Sequence, residues 1–208
     1  MTPYDAIVPA GGAARRLGGA DKPGLTVGAN TLLDRVLAAC AGAATSVVVG
    51  PARPTTRTGL CWTREQPPGG GPVAAVAAGL AQVSAPVVLL LAADLPFLDE
   101  RTVHRLVEAL DGPGGEGPNT PEAVLLVDAA GRDQPLAAAY RTAALRAALA
   151  ALGDPAGLPL RRLTGGLRTV RLADADGVTH DCDTWEELAR ARARDQAEAG
   201  RPAEHGPW

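Results

Sequence analysis

A glycine-rich loop directly after the first apolar segment is the feature that most limits how this chain can fold. Residues 6–8 predict a buried strand that ends at Pro9, so the chain leaves the sheet there. Gly11 and Gly12 then allow the backbone to turn with positive φ and without side chains in the way. Successive amide N–H groups in such a turn form a concavity that suits an anion. The loop is therefore predicted to hold an anion at the end of a strand.

Three cations in the same loop, Arg15, Arg16 and Lys22, give the predicted anion site a positive charge. A strand, a glycine turn and cations in this order are typical of a phosphate site at the carboxyl end of a parallel strand. The loop matches neither the dinucleotide fingerprint G-x-G-x-x-G nor the NTPase P-loop. The alternative interpretation is a surface loop with ordinary solvated charges.

The rest of the chain alternates apolar strands with amphipathic helices. The run Val87–Leu91 is apolar without alternation, which is typical of a central strand covered on both faces. Thr31, Asp99 and Thr184 can each cap a helix that follows them. Further strands are predicted at 47–49, 60–63, 123–127, 136–140 and 169–172, with helices near 72–80 and 143–152.

This alternation predicts a single three-layer α/β domain over residues 1–197, with a Rossmann-like, mostly parallel sheet and helices on both faces. The Gly/Pro-rich connection 112–121 is predicted to be mobile, and residues 198–208 are predicted to form a disordered tail.

Composition argues against several classes of partner. A net charge of −3 provides no basic field for nucleic acid, and 3% aromatic residues are too few for a base-stacking surface. The three cysteines form no C-x-x-C pair, which argues against a zinc site or a disulfide framework and fits a reducing compartment. The longest apolar run, 87–93, is too short to span a bilayer, and the N-terminus shows no secretory signal. We therefore expect a cytoplasmic protein that binds neither nucleic acid nor membrane.

Asp94 follows the strongest predicted strand and is the first candidate metal ligand. A carboxylate at that end of the sheet would lie near the phosphates held by the glycine loop. Mg²⁺ prefers one or two carboxylates together with phosphate oxygens and water. The alternative is that Asp94 caps the turn before Pro96.

Asp181 and Asp183 are two residues apart, so an extended backbone would point both carboxylates the same way. Either residue could supply the second metal ligand. The alternative is that Asp183 simply precedes the helix capped by Thr184. A last polar segment contains Arg132, Gln134 and Pro135 and could line a substrate pocket, or it could be a hairpin-like turn with solvated charges.

The loop 10–22 resembles the signature of the sugar-nucleotide type nucleotidyltransferases, roughly L-A-G-G-x-x-x-R-[LM]-G-G-x-D-K. The most similar family is the MobA-type molybdenum cofactor guanylyltransferases. The resemblance continues through about residue 190, in the segments 71–75, 93–96, 132–136 and 183–187.

The resemblance implies that GMP is transferred from GTP to the terminal phosphate of molybdopterin or molybdenum cofactor, with Mg²⁺ and release of pyrophosphate. The N-terminal half would bind the nucleotide and the C-terminal half the acceptor. Transient contacts with cofactor-synthesis or acceptor enzymes are compatible with that role. The implied nucleotide-binding residues are Ala10, Gly11, Gly12, Arg15, Lys22, Glu65 and Asp94.

Within that set, the resemblance places Arg15 on the phosphates, Lys22 beside the α-phosphate, and Glu65, with a one-residue gap, on the nucleoside. Lys22, Arg15 and Asp94 would be the catalytic residues. Asp94 and Asp183 would hold the metal, with Asp183 preferred because it directly precedes the Thr that opens the last helix. Arg132, Gln134 and Pro135 would contact the acceptor.

The sequence departs from the family pattern near the nucleotide base. Pro9 stands where Leu is usual, Gly50 where an Asn is frequent, and Asp181 and Asp183 where some members have Asn. The rival functions are therefore a related nucleotidyltransferase with another nucleotide or acceptor, or a nucleotide-binding regulatory protein without catalysis. The related enzyme would be a cytidylyltransferase for the same cofactor or a guanylyltransferase for a small phosphorylated acid.

Overall fold

The computed structural model describes residues 2–12, 17–112 and 120–200. The connection 112–121 and the tail after residue 200 therefore lie largely outside the described residues. The strands and helices follow one another as β1 (Tyr4–Pro9), β2 (Thr26–Val27), β3 (Asn30–Thr31), α1 (Leu32–Ala39), β4 (Ser46–Val49), β5 (Cys61–Thr63), α2 (Gly71–Leu80), β6 (Val87–Leu91), α3 (Glu100–Asp111), β7 (Ala123–Val127), β8 (Asp133–Arg141), α4 (Thr142–Leu152), α5 (Leu160–Thr164), β9 (Thr169–Ala173) and α6 (Trp185–Ala199).

In the described part of the chain, seven strands form one sheet in the order β5–β4–β1–β6–β8–β7–β9. Strand β8 is antiparallel to both of its neighbours, and the other adjacent pairs are parallel. Helices α1 and α3 pack on one face, and α2, α4 and α5 pack on the other. The predicted α/β class, with a mostly parallel sheet covered on both faces, is confirmed.

Strand β6 lies in the middle of the sheet, as its uninterrupted apolar run predicts. All five residues are buried, with Leu89 and Leu91 in the core beneath α1 and α3 and Leu90 in the core beneath α2 and α4. A strand covered on both faces needs apolar residues at every position, because neither face meets water. Within the described residues no helix has the length and apolar character needed to cross a bilayer.

The antiparallel direction of β8 brings the start of that strand to the same edge as the carboxyl end of β6. Leu91 pairs with Ala137, and the N–H of Ala92 donates to the carbonyl of Leu136 at 2.7 Å. The loops that follow β1, β4, β5 and β6 therefore meet the first residues of β8 along one edge. This edge carries the residues predicted to bind substrate.

The predicted polar turn 131–136 is only partly correct, because β8 already begins at Asp133. The pairing of β7 with β8 shifts between Leu125 and Leu126, which lie opposite Ala138 and Gln134. A bulge of this kind leaves residues outside the regular ladder, and Pro135 is tolerated there because it has no N–H to donate.

Three other features differ from the sequence prediction. The short hairpin β2–β3 and helix α5 were not predicted, and α6 runs to Ala199, so the tail prediction is wrong for residues 198 and 199. Helix α6 packs on the hairpin through an apolar cluster of Val27, Leu32, Cys182, Leu188 and Ala191. This packing carries the segment before α6 to the functional edge of the sheet.

Asp5 is a fully buried carboxylate at the opposite end of β1. Its oxygens accept hydrogen bonds from the N–H groups of Thr45, Ser84 and Ala85 at 2.8, 2.7 and 2.7 Å. We expect Asp5→Ala to lower the free energy of unfolding by about 3 kcal/mol, because three amide donors lose their acceptor. Urea unfolding measures this change, with Glu108→Ala on the exposed side of α3 as a control within about 0.5 kcal/mol of the parent. A loss for Asp5→Ala no larger than for the control would contradict this role.

Candidate functional site

The glycine loop leaves the sheet at Ala10, which is buried and whose N–H donates to the carbonyl of Val49 at 2.8 Å. Gly12 has a φ of +131°, a conformation that side chains disfavour. Gly11 does not have a positive φ, so that part of the prediction is wrong. Residues 13–16, and with them the predicted phosphate contact of Arg15, lie outside the described residues.

Glu65, which the resemblance placed on the nucleoside, lies against the same loop. A Cβ added to Gly11 would lie 3.9 Å from the Oε1 atom of Glu65. The same oxygen accepts a hydrogen bond of 3.1 Å from the N–H of Gly69. This bond holds the Glu65 carboxylate within the segment that precedes α2. The structure thus brings Glu65 and Gly11 together, and a contact between Glu65 and a nucleoside stays a prediction.

Lys22 extends from the far end of the glycine loop into a group of carboxylates. Its ammonium forms ion pairs with Asp94 and with Asp183, the latter at 2.5 Å, and its side chain is 15% exposed. Burial acts to lower the pKa of Lys22, but the charge of Asp94 and hydrogen bonds with Asp183 and Asp94 outweigh it and raise the pKa above its ordinary value. Lys22 is therefore a fixed positive charge at neutral pH.

Two of the three carboxylates in this group pair with the ammonium, Asp94 after β6 and Asp183 before α6, and Asp181 lies beside them. One ligand oxygen from each of the three lies within 4.8 Å of the others. Cys182, between the two aspartates, is buried in the apolar cluster under α6. The prediction that Asp181 and Asp183 point the same way is confirmed, because their carboxylate oxygens lie within 4.8 Å of each other while Cys182 between them is buried.

A local motif in the last helix positions the second half of this acidic cluster. The Thr184 side chain accepts from the N–H of Glu187 at 3.2 Å, and the Glu187 carboxylate accepts from the N–H of Thr184 at 2.8 Å. This reciprocal pair is a capping box, and it fixes where the chain turns from Asp183 into the helix. The position of Asp183 in the site is therefore set by the start of the helix that follows it.

The donor set of the cluster fits a hard divalent cation. Partial burial, together with the nearby charges of Asp183 and Asp94, raises the pKa of Asp181 above its ordinary value, and Lys22 opposes this rise. One ammonium balances only part of the charge of three carboxylates, and a bound nucleotide would add more negative charge. Mg²⁺ takes oxygen ligands, which are usually supplied by one or two carboxylates together with phosphates. Asp94, Asp181 and Asp183 are thus able to hold such an ion.

The two aspartates before α6 differ in their relation to Lys22, since only Asp183 pairs with it. For a Mg²⁺ ion bound at this cluster, we expect Asp183→Asn to raise the Mg²⁺ concentration at half-saturation about 3- to 10-fold, because an amide oxygen is a weaker ligand than a carboxylate. Asp181→Asn is expected to raise it less. Mg²⁺ titration of the two matched Asn variants measures the order, and a larger effect at Asp181 would reverse the assignment.

The predicted acceptor residues separate into two groups. Arg132 and Gln134 both donate to Asp128, at 2.8 and 3.0 Å, so their polar groups are held by the turn before β8. Pro135 instead lines a cavity of about 260 Å³ between β8, β9 and α5, together with Arg161 and other side chains. The structure therefore does not bring the three residues together around one ligand-sized space.

Two arginines at this edge were not predicted from the sequence. Arg161 lies at the start of α5, an element that the sequence pattern did not reveal. Arg53 lies four residues after β4 and donates to the carbonyl of Ala10 at 3.2 Å. Its position in the chain carries no motif, because its partners are distant in sequence.

Comparison with known proteins places this arrangement in a family. The family described as a MobA-like NTP transferase domain matches residues 6–175. The molybdenum cofactor guanylyltransferase of Nitrobacter hamburgensis is 37% identical over 116 residues, which cover 51% of this chain and 55% of that protein. The chain thus spans about half the length of the curated relatives it matches.

Two solved structures share the fold. Molybdopterin-guanine dinucleotide biosynthesis protein A from Archaeoglobus fulgidus superposes with a TM-score of 0.69 at 18% identity, covering 93% of this chain and 99% of the other. The 2-C-methyl-D-erythritol 4-phosphate cytidylyltransferase of Thermus thermophilus gives 0.69 at 24% identity, covering 92% and 98%. Proteins named for different nucleotides therefore share this architecture.

Proposed function

Since the chain belongs to the MobA-like NTP transferase domain family, we propose that it transfers GMP from GTP to the terminal phosphate of molybdopterin or molybdenum cofactor. The observation that carries the proposal is the Lys22 ammonium paired with Asp94 and Asp183, with Asp181 beside them, on the edge where the glycine loop leaves the sheet. A cation and a carboxylate cluster beside a glycine turn are the groups that nucleotidyl transfer requires.

The reaction breaks one phosphoanhydride bond and forms another. An oxygen of the acceptor's terminal phosphate bonds to the α-phosphorus of GTP, and the bond from that phosphorus to the oxygen bridging to the β-phosphate breaks. Pyrophosphate leaves with the electron pair. Lys22 stabilises the negative charge that develops around the α-phosphate, and the glycine loop, with Arg15, holds the triphosphate in line.

Asp94 and Asp183 would hold Mg²⁺, with Asp181 beside them. The ion would neutralise phosphate charge when bound. The protein's own contribution is to position two phosphate groups that repel each other. No covalent enzyme intermediate is needed for this displacement. Pro135, with Arg132 and Gln134 near the start of β8, would border the acceptor side.

Guanine is the proposed base because two curated relatives carry the guanylyltransferase name. A cytidylyltransferase shares the fold, so the rival is the same reaction with CTP or with a small phosphorylated acid as acceptor. A rival of another class is a nucleotide-binding regulator without catalysis. A cytoplasmic location is part of the proposal and fits the three free cysteines.

The test is transfer with each of the four nucleoside triphosphates. Purified protein is incubated with Mg²⁺, one nucleotide and molybdopterin, with or without molybdate, and pyrophosphate and the mass of the dinucleotide are measured. We expect GTP to give the product with the mass of the guanine dinucleotide. Preference for CTP would establish the first rival, and nucleotide binding without pyrophosphate release under any acceptor would favour the regulator.

A further inference from the structure

Arg53 is a largely buried guanidinium beneath the glycine loop, and its side chain is 10% exposed. Its Nη1 donates to the carbonyl of Ala10 at 3.2 Å. Its Nε and Nη2 donate to the two carboxylate oxygens of Asp21 at 3.1 and 2.9 Å. All three bonds are donated by one planar guanidinium, whose N–H groups point in fixed directions. Arginine can make this pattern and lysine cannot.

These partners are the two ends of the nucleotide loop. Ala10 is the residue where the chain leaves β1, and Asp21 is the residue directly before Lys22. Asp21 opens a short 3₁₀ turn over Lys22–Gly24, but its side chain does not cap that turn. The Asp21 carboxylate is instead engaged by Arg53. The guanidinium therefore ties the first residue of the loop to the residue that carries Lys22.

The segment that supplies Arg53 also supports the loop directly. Gly50 lies so close to it that an added Cβ would be 3.0 Å from the carbonyl of Ala10 and from the N–H nitrogen of Gly11. Its φ of +153° likewise disfavours a side chain. The glycine at this position, a departure from the family pattern, thus lets the β4–β5 connection approach the loop and brings Arg53 beneath it.

We propose that Arg53, acting through Asp21, is a positioning residue that joins Ala10 to Asp21 and sets the place of Lys22 relative to Asp94. This inference rests on the proposed function, because the loop is taken to hold the triphosphate. Groups that are already held in place lose less freedom when a ligand binds, so the amides of Gly11 and Gly12 bind it more tightly while Arg53 holds the adjacent Ala10. Without the tie, Lys22 and the amides of Gly11 and Gly12 no longer share one geometry.

A matched control is available in the same connection. Arg57 also donates to main-chain carbonyls, those of Leu37 and Cys40, at 2.7 and 3.0 Å. Its partners belong to the end of α1 and not to the nucleotide loop. Arg53→Met and Arg57→Met therefore remove the same group and leave carbonyls without a donor, but only the first removes the link between Ala10 and Asp21.

The experiment measures Mg·GTP binding by calorimetry and the environment of Lys22 by NMR, at a temperature where each variant is folded. Lys22 is the only lysine of the 208 residues, so protein labelled with ¹⁵N-lysine gives one ammonium resonance from one known site. We expect Arg53→Met to weaken Mg·GTP binding about tenfold, through the amides of Gly11 and Gly12 that follow Ala10, and to move the Lys22 resonance. Arg53→Lys should recover only part of the affinity, because an ammonium cannot span both partners. Arg57→Met should lower the Tm but change neither readout.

Asp21→Asn tests the second half of the link. If Arg53 acts through Asp21, Asp21→Asn alone weakens Mg·GTP binding, and the double variant Arg53→Met/Asp21→Asn binds no more weakly than Arg53→Met alone. An Asp21→Asn protein with parental affinity would contradict this half of the link. A folded Arg53→Met protein with parental affinity and an unmoved Lys22 resonance would overturn the inference. Absence of Mg·GTP binding by the parent would instead contradict the proposed function, and the Lys22 resonance would still report whether Arg53 places Lys22.

Discussion

Replacement of Asp94 by alanine is expected to lower the turnover number for nucleotidyl transfer by about 10³-fold while the protein stays folded. The Asp94 carboxylate pairs with Lys22 and belongs to the cluster that would hold Mg²⁺. Its loss would remove a charge from the point where the proposed reaction brings two phosphates together. The residue follows β6 and lies outside the apolar layers, so the core does not depend on it. Release of pyrophosphate at saturating substrates measures the effect.

Asp94→Asn and Asp99→Asn form a matched pair for this prediction. Both remove one carboxylate from the same loop after β6. Asp99 caps α3 by accepting from the N–H of Thr102 at 2.8 Å, and asparagine caps about as well as aspartate. We expect Asp94→Asn to lose most activity and Asp99→Asn to keep it. Near-parental turnover by folded Asp94→Ala would remove Asp94 from the metal site.

Lys22→Ala is expected to lower the turnover number by about 10²-fold or more while weakening nucleotide binding by less than about fivefold. A charge that acts on the transition state contributes little to ground-state binding, so kcat should fall much more than the dissociation constant rises. Of the 20 lysine and arginine residues, only this one is lysine. A compact ammonium fits between Asp94 and Asp183, where a planar guanidinium would need more room.

Lys22→Arg keeps the charge and therefore separates charge from shape. We expect it to restore less than about a tenth of the lost rate. Arg190→Ala removes a cation from the exposed side of α6, where Arg190 pairs with Glu186, and should leave kcat unchanged. Parallel losses of affinity and of kcat/KM at constant kcat would show that Lys22 only binds the nucleotide.

Local patterns in the sequence determined much of the fold. The caps at Thr31, Asp99 and Thr184 are confirmed, because a cap joins a side chain to an amide only three residues away. The apolar run Val87–Leu91 predicted the central strand because burial on both faces leaves no position for a polar residue. These features depend on neighbours in the chain and can be read there.

Features that depend on partners far along the chain could not be predicted. The bulge in β8 depends on pairing with β7. Because that pairing is not visible in the sequence, the pattern around Pro135 predicted a turn. Helix α5 is only five residues long and has no cap by a side chain, and it depends on contacts with α4 and the sheet. Short elements of this kind are stabilised by tertiary packing more than by their own propensity.

The candidate site divides in the same way. The sequence by itself determined which functional groups follow the strands: a glycine turn with cations comes after β1, and a carboxylate comes after β6. The spacing left the choice between Asp181 and Asp183 open, the family resemblance favoured Asp183, and neither revealed Arg53. Only the tertiary structure placed Lys22 against Asp183, because α6 must first pack on the β2–β3 hairpin to bring these residues together across 161 positions of the chain. A short segment determines its own turn or helix, whereas contacts between distant segments are decided by the packing of the whole domain.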